Sequence, residues 1–232
     1  MIAPSAKDLL AIGLYTPSEA AFYARVHPAA MARWIHGDRR GEPALRAQLE
    51  GDPERKVTFL DFVQALAIRE IRRDHKVSLQ KIRDAVQVAQ RDYGVDYPFA
   101  MRHTTFLFGQ EILIQIQGRD GPGLVQVSGT QKHQRMIRKV AELFMEELTF
   151  GEAGLATRYR IFRHLDQTVA MDPRQRTGQP LIESCGYTAI ALHEAYRTEG
   201  SVEAAATAYG VDPSAIELAI RFYDHLKGPV AA

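Results

Sequence analysis

Three pairs of a capping residue followed by proline, Thr16-Pro17, His27-Pro28 and Asp212-Pro213, cut both ends of this chain into short helices. A polar side chain placed just before the first turn accepts an N–H that has no partner inside the helix, and proline in that turn forfeits no hydrogen bond. At the first pair the sequence continues Ser18-Glu19, the spacing of a capping box, so a helix starts there and runs through Ala20 to Ala24. A second opens at Pro28, with Met31, Trp34 and Ile35 on one face. One long leading helix is thereby excluded, and a helix-turn-helix is predicted.

The polar stretches His36 to Pro43 and Gly51 to Lys56 then form a loop or small hairpin with basic residues at both ends, before the β-prone Val57-Thr58. A helix over 59–76 follows, where Leu60, Val63, Ala67 and Ile71 recur at four-residue spacing and Phe59, Phe62 and Leu66 widen the stripe. Ser78 caps the next helix, carried by Leu79, Ile82, Val86, Ala89 and Tyr93 and stopped at Gly94. From about His103 the apolar period changes to two. Thr105 to Phe108, a Gly109-Gln110-Glu111 turn and Ile112 to Gln117 read as a hairpin, with further strands at 124–127 and 155–162. A helix over 131–148 would cover that sheet through Met136, Val140, Leu143 and Phe144.

Beyond Pro180 the helical period returns. A helix over 188–197 is followed by the turn Glu199-Gly200-Ser201, a short helix marked by Val202, Ala205, Ala206 and Tyr209, and a last helix after Gly210-Val211-Asp212-Pro213. The predicted class is α+β and mainly helical, in three parts: 1–98, a helix-turn-helix domain; 99–164, a small central sheet region; and 165–232, a second helix-turn-helix domain.

Charge separates these parts. The total is near neutral, 29 Lys plus Arg against 28 Asp plus Glu, but residues 181–232 hold 3 basic and 7 acidic side chains. Any face for a polyanion is therefore expected before residue 180, because phosphates are met by Lys and Arg. With 46% apolar and 25% charged residues the composition is that of a globular protein, and disorder is excluded. No apolar run reaches the length of a membrane span, the first residues lack a signal-peptide layout, and a single cysteine, Cys185, fits a reducing compartment. A cytoplasmic protein with no membrane association is expected.

The run Tyr15-Thr16-Pro17-Ser18-Glu19-Ala20-Ala21, then Val26-His27-Pro28, Met31 and Trp34, resembles the winged helix-turn-helix of MerR-type regulators. Phe59-Leu60, Ile68, Ile71 and Val77 to Ile82 look like that family's second helix pair. The resemblance implies a second helix in the major groove and a wing on phosphates, with Arg25, His27, Arg33, Arg39, Arg40, Arg55 and Lys56 as contacts. Ala29, Ala30 and Ala32 stand where such regulators usually place polar side chains, which leaves little capacity to read base edges.

Further on, Met171-Asp172-Pro173, Gly178-Gln179-Pro180-Leu181-Ile182, Tyr196 to Ser201, Ala205-Ala206, Tyr209-Gly210-Val211 and Ile216 to Tyr223 resemble a short domain found in VapB-type antitoxins, over about 165–226. Together the two resemblances imply an antitoxin whose partners are a PIN-type ribonuclease toxin and its own operator DNA, bound as a homodimer. Inhibition would place a basic side chain in the toxin's acidic centre, with Arg158, Arg160, Arg174 and Arg176 as candidates by position.

Catalytic chemistry finds little support. Cys185 has no activating base nearby in sequence, the eight histidines show no metal-ligand spacing, and Gly118 to Gly123 precedes a strand rather than a helix. No cofactor is expected. Two other readings compete: a stand-alone MerR-like transcriptional regulator with the sheet region as sensor, and an interaction module in which neither helix-turn-helix touches DNA. The basic run Gln131 to Lys139 would add phosphate contacts in either DNA-binding case.

Overall fold

The computed structural model describes residues 9–37, 41–49, 51–102, 105–108, 111–118, 121–126, 138–139 and 142–228. The chain divides into two compact units, one built on Ala11–Ala156 and one on Thr157–Val230.

In the first unit β1 (Gly13–Tyr15) precedes α1 (Pro17–Tyr23) and α2 (Pro28–His36), and β2 (Val57–Thr58) leads straight into α3 (Phe59–His75), followed by α4 (Leu79–Tyr93). The caps are the expected ones. Thr16 Oγ1 accepts the Glu19 N–H at 3.2 Å while Glu19 accepts the Thr16 N–H at 2.8 Å, and Ser78 Oγ accepts from Lys81 at 3.2 Å. β1 lies outside the predicted elements. It pairs antiparallel with β2, Gly13 opposite Thr58 and Tyr15 opposite Val57. A Cβ on Gly13 would lie 2.5 Å from Lys56 Cβ and 2.9 Å from Leu49 Cδ1, so this pairing needs a residue without a side chain.

The core of this unit is centred on α3. Instead of a stripe, every residue from Phe59 to Ile68 is buried, including Asp61 and Gln64. Around it pack Ala20 and Ala21 of α1, Met31, Trp34 and Ile35 of α2, and Ile82, Ala85, Val86 and Ala89 of α4. The loop after α2 is pinned at two places. Ala44 and Leu45 N–H groups both donate to the Trp34 carbonyl, at 2.8 and 3.0 Å, and Arg83 of α4 donates to the Pro43 and Glu42 carbonyls at 3.0 and 2.6 Å.

A four-stranded antiparallel sheet follows, from β3 (Thr105–Phe108), β4 (Glu111–Gly118), β5 (Gly121–Gln126) and β6 (Arg138–Lys139), in the order β5-β4-β3-β6. Phe108 opposite Glu111 and Gly118 opposite Gly121 make the two hairpin ends. The predicted helix over 131–148 is corrected here. Arg138 and Lys139 pair with Leu107 and Phe106 at the open edge of β3, and the helix is only α5 (Glu142–Glu146), before β7 (Leu148–Phe150). The unpaired N–H and C=O groups of a sheet edge outcompete a helical ladder at those two positions. Residues 127–137, with most of the basic run, and Gly109-Gln110 lie outside the described residues.

The second unit holds β8 (Ala156–His164), β9 (Gln167–Met171), β10 (Leu181–Ile182), α6 (Ala189–Glu199), α7 (Val202–Tyr209) and α8 (Pro213–Lys227). β9, which no predicted strand includes, lies between the other two: Phe162 faces Val169, and Val169 faces Ile182. A bulge between Arg160 and Phe162 leaves Ile161 without an opposite residue. The helices stop and start as their spacing requires, with Thr188, Ser201 and Asp212 each accepting an N–H of the following turn. Leu192, Ala195, Ala205, Ala206, Ile216, Ala219 and Phe222 are buried, as are Val169 and Met171 of β9. Phe222 packs against Phe162 with ring centroids 5.8 Å apart, and Tyr223 lies 4.5 Å from the His193 ring. Among the described residues no helix is long and apolar enough to cross a membrane.

Candidate functional site

The turn between α1 and α2 is built by side chains that the sequence assigns to DNA and by one that it does not single out. Arg25 adopts φ +51°, its N–H donating to Phe22 and the Val26 N–H to Ala21, at 3.1 and 3.0 Å. From α3, Arg69 reaches across and donates to the Ala24 carbonyl at 2.7 Å, while Glu70 fixes its guanidinium from the other side at 2.8 Å. An adjacent Arg-Glu pair inside an otherwise apolar helix is the available sign. His27 caps α2, with Nδ1 accepting the Ala29 N–H at 3.2 Å. Its ring is thus part of the scaffold.

Arg33 stands exposed on the last turn of α2. Burial first, and the Arg33 charge second, hold the Arg72 guanidinium below its usual pKa, so α2 and α3 bring two like charges together. Repulsion of this kind is relieved when an anion bridges the pair. Arg72 is not among the predicted contacts, because it comes close to Arg33 only through the packing of α3 against α2.

Arg55 and Lys56 sit on a turn organised by Asp52, whose carboxylate accepts the Glu54 and Lys56 N–H groups at 3.3 and 2.8 Å. Arg55 is exposed, with φ +53°. Its carbonyl receives His36 Nε2 at 3.1 Å, and burial, then the Arg55 charge, push the His36 pKa down, which keeps the ring neutral. Lys56 is matched by Glu54 at 2.6 Å. Arg39 and Arg40 lie outside the described residues. The outer side of α2 carries exposed Ala29 with half-buried Ala30 and Ala32, methyl groups that offer no hydrogen bond.

The four arginines predicted to meet a protein partner differ in what holds them. Arg158 is ion-paired to Glu183. Arg160, half-buried on β8, stands opposite Ala170. Arg174 grips the buried carboxylate of Asp172, Nε at 2.9 Å and Nη2 at 2.6 Å, and that bond keeps its pKa raised. Arg176 is exposed at the start of a turn in which Arg176, Thr177 and Gly178 all have positive φ, at 45°, 54° and 75°. L-residues resist that conformation, at a cost of roughly 1–2 kcal/mol each. Three hydrogen bonds enforce it: Gln175 N–H to Asp172, Gly178 to Gln175 and Gln179 to Arg176, at 2.9, 2.9 and 3.2 Å. The four arginines therefore do not converge, and Arg176 is the one raised on a stiff support.

Cys185 is half-buried with Sγ turned to the Ile182 carbonyl at 3.8 Å. Among the described residues no three His, Cys, Asp or Glu side chains gather as a metal would require. The first unit also holds a cleft of about 460 Å³ lined by Arg46, Gln48, Gln90, Asp96 and Tyr97.

No family model matches the chain. Over 231 residues it is 26% identical to a protein of Mycobacterium tuberculosis (strain H37Rv) named "Putative antitoxin VapB45", an alignment that takes in 90% of this chain and 93% of that one. The similarity to an antitoxin thus runs through both units. The fold is similar to that of the crystal structure of Rv2018 from the same species, with a TM-score of 0.58 and 21% identity over 90% of this chain and 98% of that one.

Proposed function

We propose that this chain is the antitoxin of a type II toxin-antitoxin system: it neutralises a PIN-type ribonuclease by direct binding and contacts its own promoter DNA as a homodimer in the cytoplasm. The carrying observation is the similarity to a VapB antitoxin along nine-tenths of the chain, which one shared helix pair could not produce. In this reading residues 165–232 face the toxin. Arg176 enters the acidic centre where the ribonuclease holds its metal, because a guanidinium on a rigid turn loses little entropy on docking. The chain itself is not an enzyme.

Co-expression with the product of the adjacent open reading frame tests the proposal. A stoichiometric complex that relieves growth arrest caused by the neighbour is the expected result, and a harmless neighbour that forms no complex would sink it. Within such a complex, Arg176→Glu should weaken binding roughly a hundredfold or more, because it sets like charges against each other in a desolvated centre. Unchanged affinity would move the inhibiting contact elsewhere on 165–232.

On the first unit, the 1–98 segment meets DNA through phosphates, with Arg33, Arg55 and the added Arg72 as contacts, while Arg25, His27 and Lys56 serve the turn and the wing. The α2 alanines make the contact chiefly one of charge. Arg33→Gln with Arg72→Gln should lower the slope of log affinity for promoter DNA against log salt by about 0.9 for each phosphate that is no longer neutralised. A slope equal to that of the unaltered chain would remove both residues from the interface.

A second reading, a stand-alone MerR-like regulator, is favoured by one observation, the cleft lined by Arg46, Gln48 and Tyr97. A small molecule retained there through purification, in a chain with no protein partner, would select it.

A further inference from the structure

The turn joining β8 and β9 consists of Leu165 and Asp166, between the paired residues His164 and Gln167. Leu165 has φ +51° and is 85% exposed. A two-residue hairpin turn that needs a positive φ is normally given to Gly, Asn or Asp, and a bulky side chain there is strained. It is also left in water. Neither choice serves this chain's own fold, since Asn would relieve both, and an outlier of that sort points to a contact outside the unit.

Among the described residues of the same unit, the other large apolar side chains left exposed are Tyr187, at 36%, and Ile190, at 39%. They flank the start of α6, where Tyr187 meets Tyr209 edge to face at 5.3 Å. Two hydrogen bonds place this patch at the hairpin's end of the unit. Gln167 donates to Ser214 at the head of α8, and the Glu183 N–H donates to Thr168 at 3.1 Å. Charge follows the same division: β8 carries Arg158, Arg160 and Arg163 without one acid, whereas residues 181–232 hold 3 basic and 7 acidic side chains.

We infer that Leu165 is a docking knob for a second copy of this chain and seats on the Tyr187–Ile190 patch of that copy. The basic strand behind the knob faces the acidic helices behind the patch. Because knob and patch share one end of each unit, a two-fold axis makes both contacts at once and closes the pair. The apolar contact supplies affinity and the flanking charges set the orientation. The inference rests on the homodimer of the proposed function and adds the surface that forms it; neither toxin nor DNA binding is required.

The experiment uses the full chain. By light scattering over a dilution series, Leu165→Asn should raise the dimer dissociation constant roughly tenfold or more with an unchanged circular dichroism spectrum. In a Cys185→Ser background, Leu165→Cys and Ile190→Cys are prepared as separate variants, mixed and oxidised. A covalent dimer in the mixture, and in neither variant alone, is expected. A dimer indifferent to Leu165→Asn, or no cross-link in the mixture, overturns the inference and leaves the homodimer standing on another surface. An unaltered chain that is monomeric at micromolar concentration overturns both, with toxin neutralisation untouched. Loss of toxin binding by Leu165→Asn with the dimer intact assigns the knob to the toxin and equally overturns it.

Discussion

Asp61→Asn is expected to stabilise the chain at neutral pH by up to ~3 kcal/mol and to leave it unchanged below about pH 4. Asp61 stands in the first turn of α3, where the helix N-terminus favours a carboxylate, yet it is 0% exposed. One oxygen accepts the Gln48 N–H at 3.1 Å, and the other is buried with no hydrogen-bond partner. Burial outweighs the bonds from Gln48 and Thr58, and the pKa is pushed up to about 6 from an ordinary 3.8. A folded pKa above the unfolded one means that the folded state binds the proton more tightly. The stability this provides is complete below about pH 4 and is lost as the pH rises through about 6. Asparagine keeps an acceptor for Gln48 and carries no charge. Denaturant titrations from pH 4 to pH 8 should therefore diverge as the pH rises, and a constant offset between the two proteins would remove Asp61 ionisation as the cause.

Phe222→Ala should cost the second unit about 3–5 kcal/mol. The ring is 0% exposed, lies against Phe162 of β8 and meets Tyr223 at 5.4 Å. Its removal leaves a cavity between sheet and helix that neighbours held on two different elements cannot fill. Since a domain is typically stable by only about 5–15 kcal/mol, the loss should be plain in a thermal melt. A penalty below about 1 kcal/mol would mean that β8 and α8 are not packed through this ring.

The helices are legible because their signals are local. Thr16, Ser78, Thr188, Ser201 and Asp212 each cap a turn a few residues away, so spacing alone carries the information. What escapes depends on distant partners. β1 is three residues long, and its mate, β2, comes some forty residues later; β9 follows a turn whose Leu165 is the opposite of a hairpin signal. A helical reading of 131–148 fails where a sheet edge claims Arg138 and Lys139.

The same holds for the candidate contacts. Types and rough positions of basic residues are readable, but their employment is not. His27 is consumed as a cap, Arg174 by Asp172 and Arg158 by Glu183, whereas Arg72 enters because α3 carries it to Arg33. Ion pairs between residues far apart in sequence have no periodicity to betray them.

The turn from Arg176 to Gly178 runs in the mirror-image sense to ordinary backbone and cannot be drawn out as an extra strand along another protein's sheet without being undone. Whatever meets it must read isolated side chains, not a ladder of peptide groups. Recognition written in so few letters can be rewritten one substitution at a time, which would let duplicated toxin-antitoxin pairs in one genome drift apart and stop cross-reacting.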